Sequence, residues 1–182
     1  MQKSLSPGIL IAMPQLGDPN FHRSVVLMLE HGDDGAMGLV LNRPGPHSLK
    51  KLAAGQKVRL DPRWQDDAVY AGGPVEPFRG FVVHDAPDIA ERHAVVPGLY
   101  VSFTSESLQP LFERPHGRMR FCLGYSGWGP AQLERELAEG AWLFSEVTPS
   151  AALTNSPQTL WEDALRAMGV EPGMLVAGRG IH

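Results

Sequence analysis

Apolar residues along this chain fall into short blocks divided by clusters of Gly, Pro, Asp and Asn, a spacing that favours strands over long helices. Gly8 to Met13 is one such block, stopped by Pro14, and predicts a strand. Leu16-Gly17-Asp18-Pro19-Asn20 predicts a turn. Ser24 to Glu30 runs Val25, Val26, Leu27, Met28 and Leu29 without a polar break, as expected of a strand covered on both faces. His31 to Gly35 predicts a hairpin-like turn. A second central strand follows over Ala36 to Leu41, closed by Asn42-Arg43-Pro44-Gly45-Pro46.

Ser48 is placed to cap a short helix through Ala54, with Gly55 as its stop. Residues 55 to 67 are polar and read as loop or edge. Val69-Tyr70-Ala71, Gly80 to His84, Ala94 to Val96 and Leu99 to Phe103 predict four further strands. Thr104 or Ser107 caps the next helix, and Pro110, best tolerated in a first turn, favours Ser107. Arg118 to Tyr125 alternates Met119, Phe121, Leu123 and Tyr125 and predicts a half-buried strand. Gly127 and Gly129 then supply a turn, Pro130 suits a first helical position, and Leu133 and Leu137 lie one helical turn apart. Ala141 to Val147 predicts a last strand. Ser156-Pro157 opens the clearest helix, with Leu160, Trp161, Ala164, Leu165 and Met168 on one stripe and Gly169 at its end. From Val170 no period is left, so residues 170–182 are expected to form a loosely attached arm of a single domain spanning 1–182.

Strands outnumber helices and do not alternate with them, which argues against a doubly wound parallel sheet. The pattern predicts an α+β domain with a mixed, strongly curved sheet and three or four helices.

Composition narrows the function classes. The 182 residues suffice for one buried core. A net charge of −4 offers no electrostatic pull toward nucleic acid or anionic membrane. One cysteine, Cys122, excludes an internal disulfide and a thiolate-rich zinc site. The apolar run from Ile9 to Met13 is too short to be a secretory leader or a span, so a cytoplasmic protein is expected.

Candidate chemistry is sparse. Gly124-Tyr125-Ser126-Gly127-Trp128 departs from a nucleophile elbow because tryptophan stands where the last glycine packs closely, so Ser126 reads as structural. Cys122, between Phe121 and Leu123, reads as an inert core thiol. Glu30 and His31 are adjacent, and strand alternation turns them to opposite faces. The seven histidines show no metal-ligand spacing, so neither metal nor cofactor is expected. Gly72-Gly73-Pro74 is either a crowded turn or a backbone cradle for an anion near Arg79. Arg23, Arg43 and Arg79 all stand beside strand ends. Trp128 is expected to pack over the start of the following helix, with Gln132 turned to a cleft and Glu134 on the first turn.

These residues together resemble the AlgH/YqgE family of small bacterial proteins. The likeness runs through Ile11-Ala12-Met13-Pro14, Asp18-Pro19-Asn20-Phe21, Arg23-Ser24-Val25-Val26 and Glu30-His31. It continues through Gly35 to Pro44, Gly72-Gly73-Pro74, Arg79-Gly80-Phe81 with His84, Gly124-Tyr125, Trp128, Gln132-Leu133-Glu134 and Ala141-Trp142-Leu143. Ala131 stands where the family often has glycine. The resemblance implies a bent, bifurcated sheet closing into a pseudo-barrel. It implies no defined reaction, because the family's label as a transcriptional regulator of exopolysaccharide synthesis names no biochemical activity.

The expectation from sequence is a non-enzymatic regulatory module that binds a small molecule or a protein, and neither DNA nor membrane. Its candidate cleft comprises Arg23, Glu30, His31, Asn42, Arg43, Gly72, Gly73, Arg79, His84, Trp128, Gln132 and Glu134. The competing expectation is a small acid/base or hydrolytic enzyme using Glu30, His31, His84 or Glu134.

Overall fold

The computed structural model describes residues 4–14, 16, 18–154 and 156–179. Gly17 of the first predicted turn and residues 180–182 of the tail lie outside the described residues. The strands are β1 (Gly8–Ala12), β2 (Val25–Gly32), β3 (Gly35–Val40), β4 (Pro44–Ser48), β5 (Ala68–Ala71), β6 (Val75–His84), β7 (His93–Val96), β8 (Leu99–Ser102), β9 (Met119–Trp128) and β10 (Trp142–Ser145). The helices are α1 (Leu49–Gly55), α2 (Ser105–Glu113), α3 (Gln132–Ala138), α4 (Pro149–Leu153), α5 (Leu160–Ala167) and α6 (Pro172–Arg179). No helix among the described residues is long and apolar enough to cross a membrane.

The architecture is α+β, with strands in the order β10-β1-β2-β3-β9-β6-β8-β7. Pairings along this path are antiparallel, and β5 joins β9 in parallel while carrying β4 on its other side. The expected fork is at β9. Its Phe121 to Leu123 pair with β5, and its Ser126 to Trp128 pair with β3. The handover falls at Gly124, whose φ of 77° is left-handed and where a Cβ would sit 2.4 Å from the Gly73 carbonyl oxygen. Only glycine tolerates both. The expected closure into a pseudo-barrel is corrected: the order ends at β10 and β7, which do not pair, and the sheet stays open.

Burial on both faces of β2 is borne out at Val25 to Met28, all fully buried. Alternation sends Val25 and Leu27 into one core with Ile9, Ile11, Leu39 and Leu41. Val26 and Met28 enter a second core with Leu10, Val40, Trp128 and Trp142. A third core, on the far side of the fork, holds Leu49, Trp64, Val82, Leu111, Phe112 and Phe121.

Local expectations are corrected at several points. Six α-helices form among the described residues, rather than three or four, because the five-residue α4 is too short to show a period and α6 falls in the tail, whose sequence shows none. Strand β4 escapes the pattern because it carries Pro44 and Pro46, tolerated since it pairs only with β5. Helix α2 is capped by Thr104, not Ser107: the Thr104 hydroxyl accepts the Ser107 N–H at 3.3 Å, and Pro110 lies inside the helix. Gly127 lies in β9, paired with Met37, and α3 begins at Gln132 behind Ala131 (φ 63°), so Pro130 is not its first residue. In the tail, α6 occupies the stretch expected to be a loose arm, and Val170 and Leu175 pack against the core around Trp161.

Candidate functional site

The residues singled out from sequence separate into distinct places, and most are spent on holding the fold. At the β9–α3 junction, Trp128 packs against Phe21 (ring centroids 5.9 Å) and Trp142 (5.9 Å). Gln132 does not reach into a cleft: its Oε1 accepts the Gly129 N–H at 3.0 Å and its Nε2 donates to Glu136 Oε2 at 2.9 Å. Glu136, passed over in the sequence, is the hub. Its Oε1 accepts the indole N–H of Trp128 (3.2 Å) and of Trp142 (2.9 Å).

His31 and Glu134 do meet, through an Nε2 to Oε1 hydrogen bond between β2 and α3. The other ring nitrogen, Nδ1, accepts the Leu5 N–H at 3.0 Å, so the ring proton sits on Nε2 and donates to the carboxylate. That bond holds the Glu134 carboxyl below its usual range. Both nitrogens are thereby engaged within the protein.

His84 is fully buried on β6 and equally engaged. Its Nδ1 accepts the Ala86 N–H at 3.1 Å, its Nε2–H donates to Ser102 Oγ at 2.9 Å, and that hydroxyl donates to the Glu91 carbonyl at 2.6 Å. Burial, with His116 adding to it, pushes the His84 pKa down to about 4, so the ring is neutral near pH 7.

Asn42 bridges strands: Oδ1 accepts the Val25 N–H at 3.0 Å and Nδ2 donates to the Arg23 carbonyl at 2.9 Å. The Arg43 guanidinium donates to the carbonyls of Pro19 (2.9 Å), Asn20 and His22 (2.7 Å), gathering the loop between β1 and β2. Arg23 stacks its guanidinium 5.1 Å from the centre of the Trp161 ring. Arg23 and Arg43 line one small cavity of about 200 Å³, whereas Arg79 belongs to another, so the three arginines do not converge.

Gly72 and Gly73 form a crowded turn and no anion cradle. The Gly72 N–H donates to the Leu123 carbonyl at 2.9 Å, and a Cβ on Gly73 would lie 2.2 Å from the Tyr125 carbonyl carbon. Ser126, fully buried, donates to the Gly72 carbonyl at 3.1 Å. Burial pushes the Cys122 thiol up to about 12.

One cavity, about 650 Å³, opens beside the turn between β2 and β3 and brings together Glu30, His31 and Trp128, with Asp33, Asp34 and Tyr125 also in its lining. Two more are of a size and polarity for small ligands. The first, about 350 Å³, lies between the β2–β3 arm and the β6–β8–β7 arm of the open sheet. Leu29, Met37, Phe81, Val101 and Phe103 line it, together with Glu30, Arg79 and His93. Glu30 lines both this cavity and the one at the turn between β2 and β3, while His31 serves Glu134, and the strand pairing shifts register between Met28 and Glu30. Arg79 is fixed over the rings of Phe81 (5.0 Å) and Phe103 (5.5 Å) and pairs with Glu76 at 3.4 Å. The second cavity, about 490 Å³, opens beside the fork in β9 and carries Arg63, Asp66, Asp67, Tyr70, Arg118 and Arg120 among its lining residues. Sequence reading missed this one. Its signal was Arg120, a charge set inside the apolar run Met119-Arg120-Phe121-Cys122-Leu123. No group of three or more His, Cys, Asp or Glu able to hold a metal occurs among the described residues.

The fold and its cavities define a small α+β protein built on an open, forked sheet. Comparison with known proteins agrees with that class. A family model described as DUF179, AlgH-like, matches residues 9–173. A UPF0301 protein of Myxococcus xanthus is 57% identical over 180 residues, covering 99% of each chain. Another, from Anaeromyxobacter sp., is 41% identical and covers 97% of this chain and 94% of that protein. The solution structure of the AlgH protein from Pseudomonas aeruginosa superposes with a TM-score of 0.75 at 33% identity over 97% of both chains. A crystal structure of a protein from Corynebacterium diphtheriae shares the fold, with a TM-score of 0.73 at 21% identity. The chain belongs to the AlgH-like family.

Proposed function

We propose that this protein is a non-enzymatic, cytoplasmic regulatory module that binds a small amphipathic molecule in the cavity between the two arms of its sheet. The observation that carries this reading is the composition of that cavity: an apolar floor (Leu29, Met37, Phe81, Val101) beneath one anion, Glu30, and one cation, Arg79. A pocket of this size and polarity is typical for small ligands. Opposite charges above an apolar floor suit a zwitterion with an apolar tail, such as a hydrophobic amino acid. Its carboxylate would meet Arg79, its ammonium Glu30, and its side chain the floor.

The competing enzyme reading draws on the His31–Glu134 pair. It is less favoured because a general base needs a ring nitrogen within reach of substrate, and both nitrogens of His31 and of His84 already have partners. Direct DNA reading is not favoured either. Helix α3 carries a single basic residue, Arg135, with Glu139 at its C-cap, and α5 carries Arg166 beside Glu162 and Asp163, so neither offers a phosphate-neutralising face.

Calorimetry with L-phenylalanine, L-leucine, 3-phenylpropionate and phenethylamine tests the proposal. The two amino acids are expected to bind more tightly than the acid or the amine. Val101→Trp, which fills the cavity, is expected to abolish binding. Glu30→Gln and Arg79→Gln should each weaken it by about tenfold, the loss of one charge-assisted contact. No binding by any of the four compounds, or binding unchanged in Val101→Trp, would overturn the reading.

A further inference from the structure

The cavity at the fork differs in chemistry from the one between the arms and takes no part in the function proposed above. Three arginines are among its lining residues, and two of them have their guanidinium groups held in place. Arg120, on β9, is only 6% exposed; its Nη1 donates to the Leu41 carbonyl at 2.7 Å and its guanidinium stacks 5.4 Å from the Tyr70 ring centre. Arg63 donates from Nη2 to the Gly117 carbonyl at 2.7 Å and stacks 5.2 Å from the Trp64 ring centre. Arg118 differs: its guanidinium makes no hydrogen bond or ion pair among the described residues, while its backbone N–H is tied to Asp85 at 2.8 Å. A fixed pair of cations beside an unspent one is a preorganised receptor for a multiply charged oxyanion, and guanidinium forks match phosphate oxygens in geometry.

Two carboxylates, Asp66 and Asp67, line the same cavity. They would repel an anion resting on them, so the phosphate belongs at the arginine wall. Carboxylates accept hydrogen bonds from hydroxyl groups, and the half-buried Asp67 lines the same cavity close to Arg63. Arginines and carboxylates sharing one cavity of about 490 Å³ call for a ligand with an anionic end and a polyhydroxyl body.

We propose that the cavity beside the fork in β9 binds a phosphorylated sugar, with its phosphate on Arg63, Arg118 and Arg120 and its hydroxyls on Asp66 and Asp67. The cavity is recessed between β5, β9 and the segment following α4, with Pro157 and Gln158 in its wall. That recess suits a single small molecule better than a polymer.

The test is calorimetry of the full chain with glucose 6-phosphate, ribose 5-phosphate, glucose, inorganic phosphate and citrate. The sugar phosphates are expected to bind at least about tenfold more tightly than phosphate or glucose alone, with affinity falling as salt rises. Arg118→Gln and Arg63→Gln alter exposed side chains, and a circular dichroism spectrum matching the parent identifies variants that keep the fold; each should weaken sugar phosphate binding by about tenfold or more. Asp67→Asn should reduce the preference for sugar phosphate over phosphate while retaining phosphate binding. Val101→Trp, which fills the other cavity, should change nothing here, so this site can fail or stand apart from the one between the arms. Absence of sugar phosphate binding, equal binding of phosphate or citrate, or affinity unaffected by Arg118→Gln and Arg63→Gln would overturn the proposal.

Discussion

Glu136 offers a sharp test of how the β9–α3 junction is held. It sits one helical turn past Gln132 on α3, and its carboxylate accepts three hydrogen bonds, two of them from the indoles of Trp128 and Trp142. Those tryptophans are 5% and 2% exposed, so their indoles depend on this acceptor. Glu136→Ala leaves two buried N–H donors unpaired, at about 1–3 kcal/mol each. The sum, about 2–6 kcal/mol, is a large share of a total stability of roughly 5–15 kcal/mol. Glu139→Ala on the same helix removes an exposed carboxylate and should stay within about 0.5 kcal/mol of the parent. Glu136→Gln should fall between them, because its amide oxygen still accepts from both indoles while its amide nitrogen confronts Gln132. Urea denaturation followed by tryptophan fluorescence measures all three, with an unchanged dependence on denaturant expected. A Glu136→Ala protein within about 0.5 kcal/mol of the parent would refute the reasoning.

Acid sensitivity should come from His84 before it comes from carboxylates. The folded protein keeps this ring neutral down to about pH 4, whereas the unfolded chain protonates it near 6.5, so the unfolded state binds more protons between those values. Its stabilisation is complete above pH 6.5 and is lost as pH falls toward 4, amounting to about 3 kcal/mol at the low end. Burial also lowers His116, which adds to the loss in the same direction. Urea unfolding from pH 7.5 to 4.5 checks this; a stability unchanged between pH 6.5 and 5, or a His84→Gln variant with undiminished acid sensitivity, would contradict it. Cys122 should not react with a disulfide reagent in the native protein at pH 8 and should react fully in denaturant, since burial lifts its thiol to about 12. Ser126, spent on the Gly72 carbonyl, should resist fluorophosphonate labelling, and stable labelling would count against its structural role.

Sequence by itself determined what depends on neighbours along the chain. Five consecutive apolar residues from Val25 to Leu29 announce a strand with two buried faces, and Ser48 announces a helix start, because both signals lie within a few residues. The α+β class, the buried Cys122 and the Ser126 hydroxyl spent on the backbone were legible for the same reason. Tertiary structure decided everything that joins distant segments. Gly124 in β9 reads as an ordinary glycine until Gly73 is seen against it. Asn42 and Arg43 look like site residues until their partners, the backbone of the Pro19–Val25 stretch, are in view. His31 acquires Glu134 from 103 residues away, and Glu136 becomes the acceptor for two indoles that no local pattern connects. The cavities are non-local in the same sense: Glu30 shares one with Arg79, and Arg63 shares another with Arg120, because the sheet forks at β9. Local propensity records which backbone shape a residue tolerates. Which polar groups are left over for a ligand depends on hydrogen bonds and ion pairs closed across the whole fold, and only folding decides those.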